Sequence, residues 1–357
     1  MAINNGCGQH AESTKFPDQV WRRKLRRQLL NWFRRNARDL PWRAAPTPYQ
    51  TWVSEIMLQQ TQVATVVEYY QRFLKRFPDI QTLATATEQE VLRYWEGLGY
   101  YRRARQLHLA AKTIMTNHHG CFPTTFPEVL ALPGIGRYTA GAILSISMGL
   151  RHPIVEANTI RLFARLLHVS TKVATVQTQT LFWEFAAWIL PHKHLSDFNQ
   201  ALMEVGSLIC TPKSPACDKC PLRTLCPTFV SQAFDKIPKP KQKTKLEQIQ
   251  EVAIVVQHRD GHRVLLRQCQ ADQRWAGLWD FPRFACDIKC SQELTTAEQQ
   301  QITQETHDLA DVQIDDLIPL TSIKHGVTKY RITMNCYTAK LKRDQTAKNP
   351  TLQWVSL

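Results

Sequence analysis

The 357-residue sequence predicts two domains, an all-α first domain and a smaller α/β second one. Three observations carry that expectation. Apolar residues recur at helical spacing over residues 21–208, with few alternating runs. The stretch Lys236-Ile-Pro-Lys-Pro-Lys-Gln-Lys-Thr-Lys245 is rich in proline and lysine and has no period, as befits a linker. After it come short β-branched runs separated by turn residues. The expected division is a flexible start over 1–20, a helical domain over 21–230, a linker over 231–248 and a second domain over 249–357.

The first 20 residues are polar and lack the apolar run of a secretory signal. No later run approaches the roughly 20 apolar residues of a membrane helix. A cytoplasmic protein with no membrane partner is therefore expected. The net charge of +15 is uneven: residues 1–230 carry 27 Lys/Arg against 15 Asp/Glu, and the remainder 18 against 15. A basic first domain points to a polyanionic partner, because phosphate contacts release condensed counterions. Charge alone does not choose between DNA, RNA and an anionic surface. Residues 21–43 hold nine basic side chains and one acid, Asp39, a pattern that suits a solvated helix face as well as a phosphate-binding one.

Along the chain, Trp21, Leu25, Leu29 and Trp32 mark a first helix, and Val53, Ile56, Val63, Val67, Tyr70 and Leu74 continue the pattern. Within Trp52-Val-Ser-Glu-Ile-Met-Leu-Gln-Gln-Thr-Gln62, Glu55 falls roughly 110° from that stripe, beside Leu58 and Gln62. An acid flanked by amides and a leucine can line a pocket, although a lone glutamate off an apolar stripe is more often solvated. Leu132-Pro-Gly-Ile-Gly-Arg-Tyr-Thr-Ala-Gly-Ala142 reads as a hairpin between two helices over about 130–142. Gly134 and Gly136 there would leave backbone N–H groups bare for a phosphate oxygen; an ordinary helix–helix turn is the plainer reading. Ile154-Val-Glu-Ala-Asn-Thr-Ile-Arg161 supplies a second carboxylate, Glu156. Two carboxylates around one site suit glycosidic chemistry: one protonates the leaving group, the other faces the cationic sugar.

Four of the ten cysteines cluster as Cys210-x6-Cys217-x2-Cys220-x5-Cys226, and the rest show no disulfide framework. Thiolates this close in sequence can enclose one metal centre at little loop entropy. The spacing accepts either zinc or an iron–sulfur cluster. Lys213, Lys219 and Arg223 in the same loop offer further phosphate contacts. Beyond the linker, Val252-Ala-Ile-Val-Val256 and Arg263-Val-Leu-Leu-Arg267 read as strands about a turn at Asp260-Gly261. Arg331-Ile-Thr-Met-Asn-Cys-Tyr337 reads as another strand and residues 297–309 as a helix.

Together these segments resemble the helix-hairpin-helix glycosylases related to endonuclease III, most nearly the MutY-type adenine DNA glycosylases. The matching residues are Leu40-Pro-Trp-Arg43, Ser54-Glu-Ile-Met-Leu-Gln-Gln-Thr-Gln62, Gly97-Leu-Gly-Tyr-Tyr101, Leu132-Pro-Gly-Ile-Gly136, Asn199-Gln-Ala-Leu-Met203 and the cysteine spacing, spread over nearly the whole chain. The resemblance implies an all-α helix-hairpin-helix glycosylase domain with an iron–sulfur cluster loop over 210–226, and a C-terminal α/β Nudix-like domain that inspects 8-oxoguanine. It implies one 4Fe–4S cluster, rather than zinc, on Cys210, Cys217, Cys220 and Cys226. The implied activity is excision of adenine opposite 8-oxoguanine or guanine in double-stranded DNA, by a monomer, in base-excision repair. Glu55 would protonate the flipped adenine at N7, Glu156 would stabilise the cationic sugar, and Tyr138 and Asn158 would position it. Arg38, Trp42 and Glu204 match the rim of the family's adenine pocket, and Gln60 and Tyr100 its wedge into the base stack. Arg43, Leu58, Thr61, Gly134 and Gly136 complete the implied DNA-binding set within this domain. Tyr138 stands where bifunctional relatives carry a lysine nucleophile, so no Schiff-base lyase chemistry is implied.

The chain departs from the family pattern in two places. Glu156-Ala157-Asn158 replaces an Asp-Gly-Asn, adding one methylene to a carboxylate whose displacement by about 1 Å can cost roughly 100-fold in rate. Val327-Thr328-Lys329 replaces the Phe-Ser-His loop that senses 8-oxoguanine, and only the Thr328 hydroxyl is kept. The second domain has Gly277-Leu-Trp-Asp-Phe-Pro282 but no acidic metal-binding run of a Nudix pyrophosphatase, so it is expected to read rather than hydrolyse. Two alternatives stand beside this reading: a glycosylase for another mismatched base, and a mismatch-binding protein weakened in catalysis. The C-terminal domain argues against the first; Glu55, Tyr138 and Asn158 argue against the second.

Overall fold

The computed structural model describes residues 15–240, 246–270, 273–286, 288, 294–327, 329–343 and 349–356. They form two compact units that divide between Lys241 and Gln242. In the first, α1 (Gln19–Asn36), α2 (Pro48–Leu58), α3 (Val63–Arg76), α4 (Ile80–Thr85), α5 (Glu88–Trp95) and α6 (Arg102–Asn117) are followed by α7 (Phe126–Ala131), α8 (Arg137–Ser147), α9 (Ala157–Leu166), α10 (Val176–Ile189), α11 (Leu195–Leu208) and the short α12 (Pro227–Val230). Their starts are local: the side chains of Asp18, Thr47, Asp79, Thr87 and Thr175 each accept from the third helical amide. Caps of this kind contribute about 1 kcal/mol each. Phe16 already packs on Phe185 and Trp188, with ring centroids 5.6 and 5.4 Å apart. The helical unit thus begins inside the stretch expected to be flexible, whose residues 1–14 lie outside those described.

The basic run of α1 is divided in its use. Arg22 and Arg26 donate to the carbonyls of Trp188, Ile189 and Leu190 at the C-terminus of α10, where cations meet the negative helix end. Arg23, Arg27, Arg34 and Arg35 stay exposed.

The stripe read as one helix through Val53 and Val67 is two helices. Between α2 and α3 the chain turns at Gln60, which takes a left-handed conformation (φ 58°). The buried face of α3 is Val66, Tyr70 and Phe73, rotated from Val63 and Val67. α2 buries Thr51 through Met57 without a break. A helix buried all round has no polar face, so a glutamate off the stripe is not thereby solvated.

Leu25, Leu29, Phe163, Phe182, Phe185 and Phe198 are fully buried and join α1, α9, α10 and α11 in one core. α2 packs on α8, and α11 packs on both α8 and α9. The linker expected over 231–248 is shorter than the composition implied. Ile237 is buried, and its carbonyl accepts from Arg165 Nε at 3.0 Å. The first strand begins as early as Glu247.

The second unit holds β1 (Glu247–Gln257), β2 (Arg263–Gln268), β3 (Trp279–Asp280), β4 (Arg283–Ala285), α13 (Thr296–Ala310), β5 (Ile314–Val327), β6 (Tyr330–Leu341) and β7 (Leu352–Ser356). They make one mixed sheet in the order β3-β2-β1-β6-β5, with β4 beside β1 and β7 beside β2. β1 runs parallel to β6 and antiparallel to β2. The expected strands fall inside β1, β2 and β6, and the expected helix inside α13. β5 escaped the sequence reading for a physical reason. It is an edge strand with a proline, two register shifts and exposed Ile318, Leu320 and Ile323, so no alternation marks it. Among the described residues no helix is long and apolar enough to cross a membrane.

Candidate active site

A single pocket opens where α2, α8, α9 and α11 meet. It is lined by Arg38, Trp42, Arg43, Glu55, Leu58, Gln60, Thr61, Gly136, Tyr138, Glu156, Asn158 and Glu204, all singled out from the sequence. Gly134 lies two residues before, in the hairpin. Tyr100 sits apart on the loop before α6, exposed and left-handed (φ 48°). Thr328 lies outside the described residues.

Glu55 is 4% exposed. Burial pushes its carboxyl up to about 7, against a hydrogen bond that favours the charged form. That bond comes from Tyr138 Oη, which donates to Glu55 Oε2 at 2.5 Å. Burial and the neighbouring Glu55 raise the Tyr138 phenol well above its ordinary value. The group facing Glu55 is therefore a neutral hydroxyl.

Glu156 occupies another kind of place, the N-cap of α9. Its two oxygens accept from the backbone N–H groups of Asn158 and Thr159, each at 2.8 Å, while Thr159 Oγ1 accepts from its own N–H. Asn158 Nδ2 adds a bond at 3.2 Å. Burial raises Glu156 as well, opposed by these donors and by Arg161. Arg161 Nη2 in turn donates to Asn158 Oδ1 at 2.9 Å and its Nε to the Cys210 carbonyl at 2.5 Å. Sequence reasoning passed over Arg161, although its place three residues after Asn158 puts both on one helix face. α11 closes on this corner through Gly206: a Cβ there would stand 2.8 Å from Asn158 Cβ and 2.9 Å from its carbonyl.

At the far wall, Glu204 is 1% exposed and fully paired. Arg38 Nε and Nη2 grip it at 2.8 and 3.0 Å, the Arg38 N–H at 3.1 Å, and Arg43 Nη2 at 2.7 Å. Burial alone would raise this carboxyl; the two guanidinium groups outweigh it and hold it at about 2. Glu204 is thus a fixed anion with its oxygens committed.

The hairpin divides its glycines. Gly134 requires its left-handed backbone (φ 76°), and a Cβ there would meet Gln106 Cβ at 2.6 Å. Gly136 has an ordinary φ of −98° and caps α8 with no side-chain hydrogen bond, so the first amides of α8 lack a local acceptor.

Cys210, Cys217, Cys220 and Cys226 rim a second cavity with Leu162, Leu166, Leu222 and Phe229. Arg165 on α9 is buried and donates to Cys210 Sγ at 3.3 Å and to the Thr211 carbonyl at 2.8 Å. None of these thiols is in a disulfide. Burial pushes Cys220 up to about 12 and raises Cys217 and Cys226. Among the described residues no three His, Cys, Asp or Glu side chains are arranged around one metal ion. Thiols, a buried guanidinium and apolar walls fit a bulky, thiolate-bound anionic group, whose charge Arg165 would offset.

The model of the HhH-GPD superfamily base excision DNA repair proteins matches residues 53–187, and a NUDIX domain model matches residues 252–357. An adenine DNA glycosylase of Buchnera aphidicola subsp. Schizaphis graminum is 37% identical over 262 residues, covering 73% of this chain and 75% of its own length. The adenine DNA glycosylase of Rattus norvegicus is 41% identical over 211 residues, 57% of this chain and 41% of that one. Among solved structures, a thermostable thymine-DNA glycosylase superposes with a TM-score of 0.55 at 28% identity, over 59% of this chain and 98% of its own. Helical scaffold, Nudix-like second unit and identity across three-quarters of a relative agree: this chain belongs to the adenine DNA glycosylase family.

Proposed function

We propose that the chain excises adenine opposite 8-oxoguanine or guanine in double-stranded DNA, hydrolysing the N-glycosidic bond without strand cleavage. The observation that carries this reading is Glu55: a buried carboxyl held near neutrality, hydrogen-bonded by Tyr138, in one pocket with Glu156. A group with a pKa of about 7 keeps its proton in about half the molecules at neutral pH and is matched to general-acid work. Glu55 delivers that proton to the extruded base, which then leaves neutral. Positive charge develops on the sugar, and Glu156, oriented by Asn158 and the first amides of α9, stabilises it. Tyr138 carries a phenol where an imine would need an amine, so the chain acts as a hydrolase alone.

The first amides of α8 and the exposed arginines of α1 receive backbone phosphates. Cys210, Cys217, Cys220 and Cys226 would hold a 4Fe–4S cluster, which would clamp the 210–226 loop so that its exposed Lys213 and Lys219 meet backbone phosphates. The second unit reads the partner base. Its α13 sequence, Thr-Ala-Glu-Gln-Gln-Gln-Ile-Thr-Gln-Glu-Thr-His-Asp-Leu-Ala, has no acidic run to bind catalytic metal. The protein works as a monomer in the cytoplasm.

Single-turnover base release on duplexes with A opposite 8-oxoguanine, A opposite G, and T or U opposite G tests the assignment. Adenine release is expected from the first two. Release of T or U without A would overturn it. Equal amounts of iron and acid-labile sulfide in the purified protein test the cluster.

A further inference from the structure

Arg103, near the start of α6, makes more inter-element contacts than any function assigned so far requires. Its Nη1 donates to the carbonyls of Ile56 and Met57, at 2.8 and 3.0 Å, and to that of Gln59. Its Nη2 reaches Thr61 Oγ1 at 3.2 Å and the Leu98 and Gly99 carbonyls at 3.3 Å. The guanidinium carbon lies 5.5 Å from the Trp95 ring centroid and 5.4 Å from that of Tyr100. One side chain therefore closes the C-terminal end of α2 and ties the 59–62 loop to the 96–101 loop.

Both loops are held in uncommon backbone. Gln60 and Tyr100 are non-glycine residues in left-handed conformation, at φ 58° and 48°, beside Gly97 and Gly99 at 93° and 67°. Such residues persist only where their surroundings over-determine them. Here the over-determining group is the Arg103 fork. It bonds the Gln59 carbonyl before the Gln60 turn, the Thr61 hydroxyl after it and the carbonyl of the residue before Tyr100, and it packs along the Tyr100 ring.

We infer that Arg103 is a positioning residue: it sets the distance and register between Gln60 and Tyr100, so that the two loops enter the base stack as one rigid wedge. This rests on the reading that these residues displace the target base. Arg103 itself need not touch DNA. A lysine cannot replace it, because a single ammonium on a flexible stem lacks the planar fork that spans both loops.

The test uses the full chain in a Glu55→Gln background, which binds without excising. The probe is duplex DNA with 2-aminopurine in place of adenine opposite 8-oxoguanine. With Arg103 intact, binding should unstack the probe and raise its fluorescence. R103M and R103K should lose most of that rise while binding the duplex within about 10-fold by anisotropy. With Glu55 restored, single-turnover adenine release should fall about 100-fold, the cost of a misplacement near 1 Å. A full fluorescence rise with R103K, or normal excision by either variant, overturns the inference. So does a loss of excision in R103K with the fluorescence rise intact, since the fault would then lie in the pocket. R103K carries the test if R103M fails to fold. The absence of any rise with Arg103 intact would instead sink the adenine-flipping reading.

Discussion

Glu55 and Glu156 line the same pocket from opposite kinds of helix position. Glu55 lies in the body of α2, where the amides are spent within the helix, and among the described residues only the Tyr138 hydroxyl donates to it. Glu156 precedes α9, where unspent amides and the positive end of the helix face its carboxylate. Burial raises both, yet three donors from Asn158 and Thr159 oppose the rise at Glu156 and one opposes it at Glu55. One carboxyl is thereby suited to carry a proton and the other to remain an anion, although the residue type is the same.

The sharpest way to break that contrast is Glu55→Gln. Base release should fall by the 10²- to 10⁴-fold that a positioned acid supplies, about three decades, with DNA binding retained. The same change alters stability in a pH window set by the shift. Between the ordinary 4.5 and about 7 the folded chain keeps a proton that the unfolded chain has released. The native state is favoured fully below 4.5, and stability falls as pH rises to 7, by about 3 kcal/mol. Urea titrations should show that slope in the native protein and lose it in Glu55→Gln; an unchanged slope would place the titration elsewhere.

Glu156→Ala comes next. It should slow excision about 100-fold through lost charge stabilisation, and cost roughly 1 kcal/mol of stability through the lost cap. Glu156→Asp sharpens the same point, since aspartate is a favoured N-cap and keeps the charge. Its excision rate should stay within about 10-fold of the parent, a tenth of the misplacement cost. A dead Glu156→Asp would mean the pocket is built around the longer side chain. Gly206→Ala should act on Glu156 and spare Glu55, because the new methyl presses on Asn158; overpacking of this kind costs about 1–3 kcal/mol.

The smallest effect concerns Tyr138→Phe. Removing its hydrogen bond takes away a group that favours the charged form of Glu55, so that carboxyl should rise further. Activity, lost above pH 7 in the parent, should persist about one pH unit higher, the equivalent of a charge-assisted bond of about 1.5 kcal/mol. A limb that moves downward would reverse the assigned direction of the bond.

Several parts of this were legible beforehand. The helical unit, the cysteine loop, the hairpin and the strands of β1, β2 and β6 were marked by local signals: periodicity, caps and turn residues within a few positions of one another. Most of the pocket's residues were named in advance as well, on motif resemblance more than on residue physics. Physics read one by one placed Glu55 off an apolar stripe and left it for solvent. It also ran α2 and α3 together and began the ordered chain too late.

The amino-acid order by itself determined which residues start helices, where the thiols cluster and where positive charge collects, because those properties depend on near neighbours. The tertiary structure alone decided the chemistry. It surrounded α2 with α6, α8 and other elements, so that Glu55 lost its water and gained Tyr138 from 83 residues away. It brought Arg38 and Arg43 onto Glu204 across more than 160 positions. It also placed Arg103 between two loops that lie 34 or more positions apart in the chain. Desolvation and long-range hydrogen bonding arise only when distant segments meet, and no local pattern records which ones will.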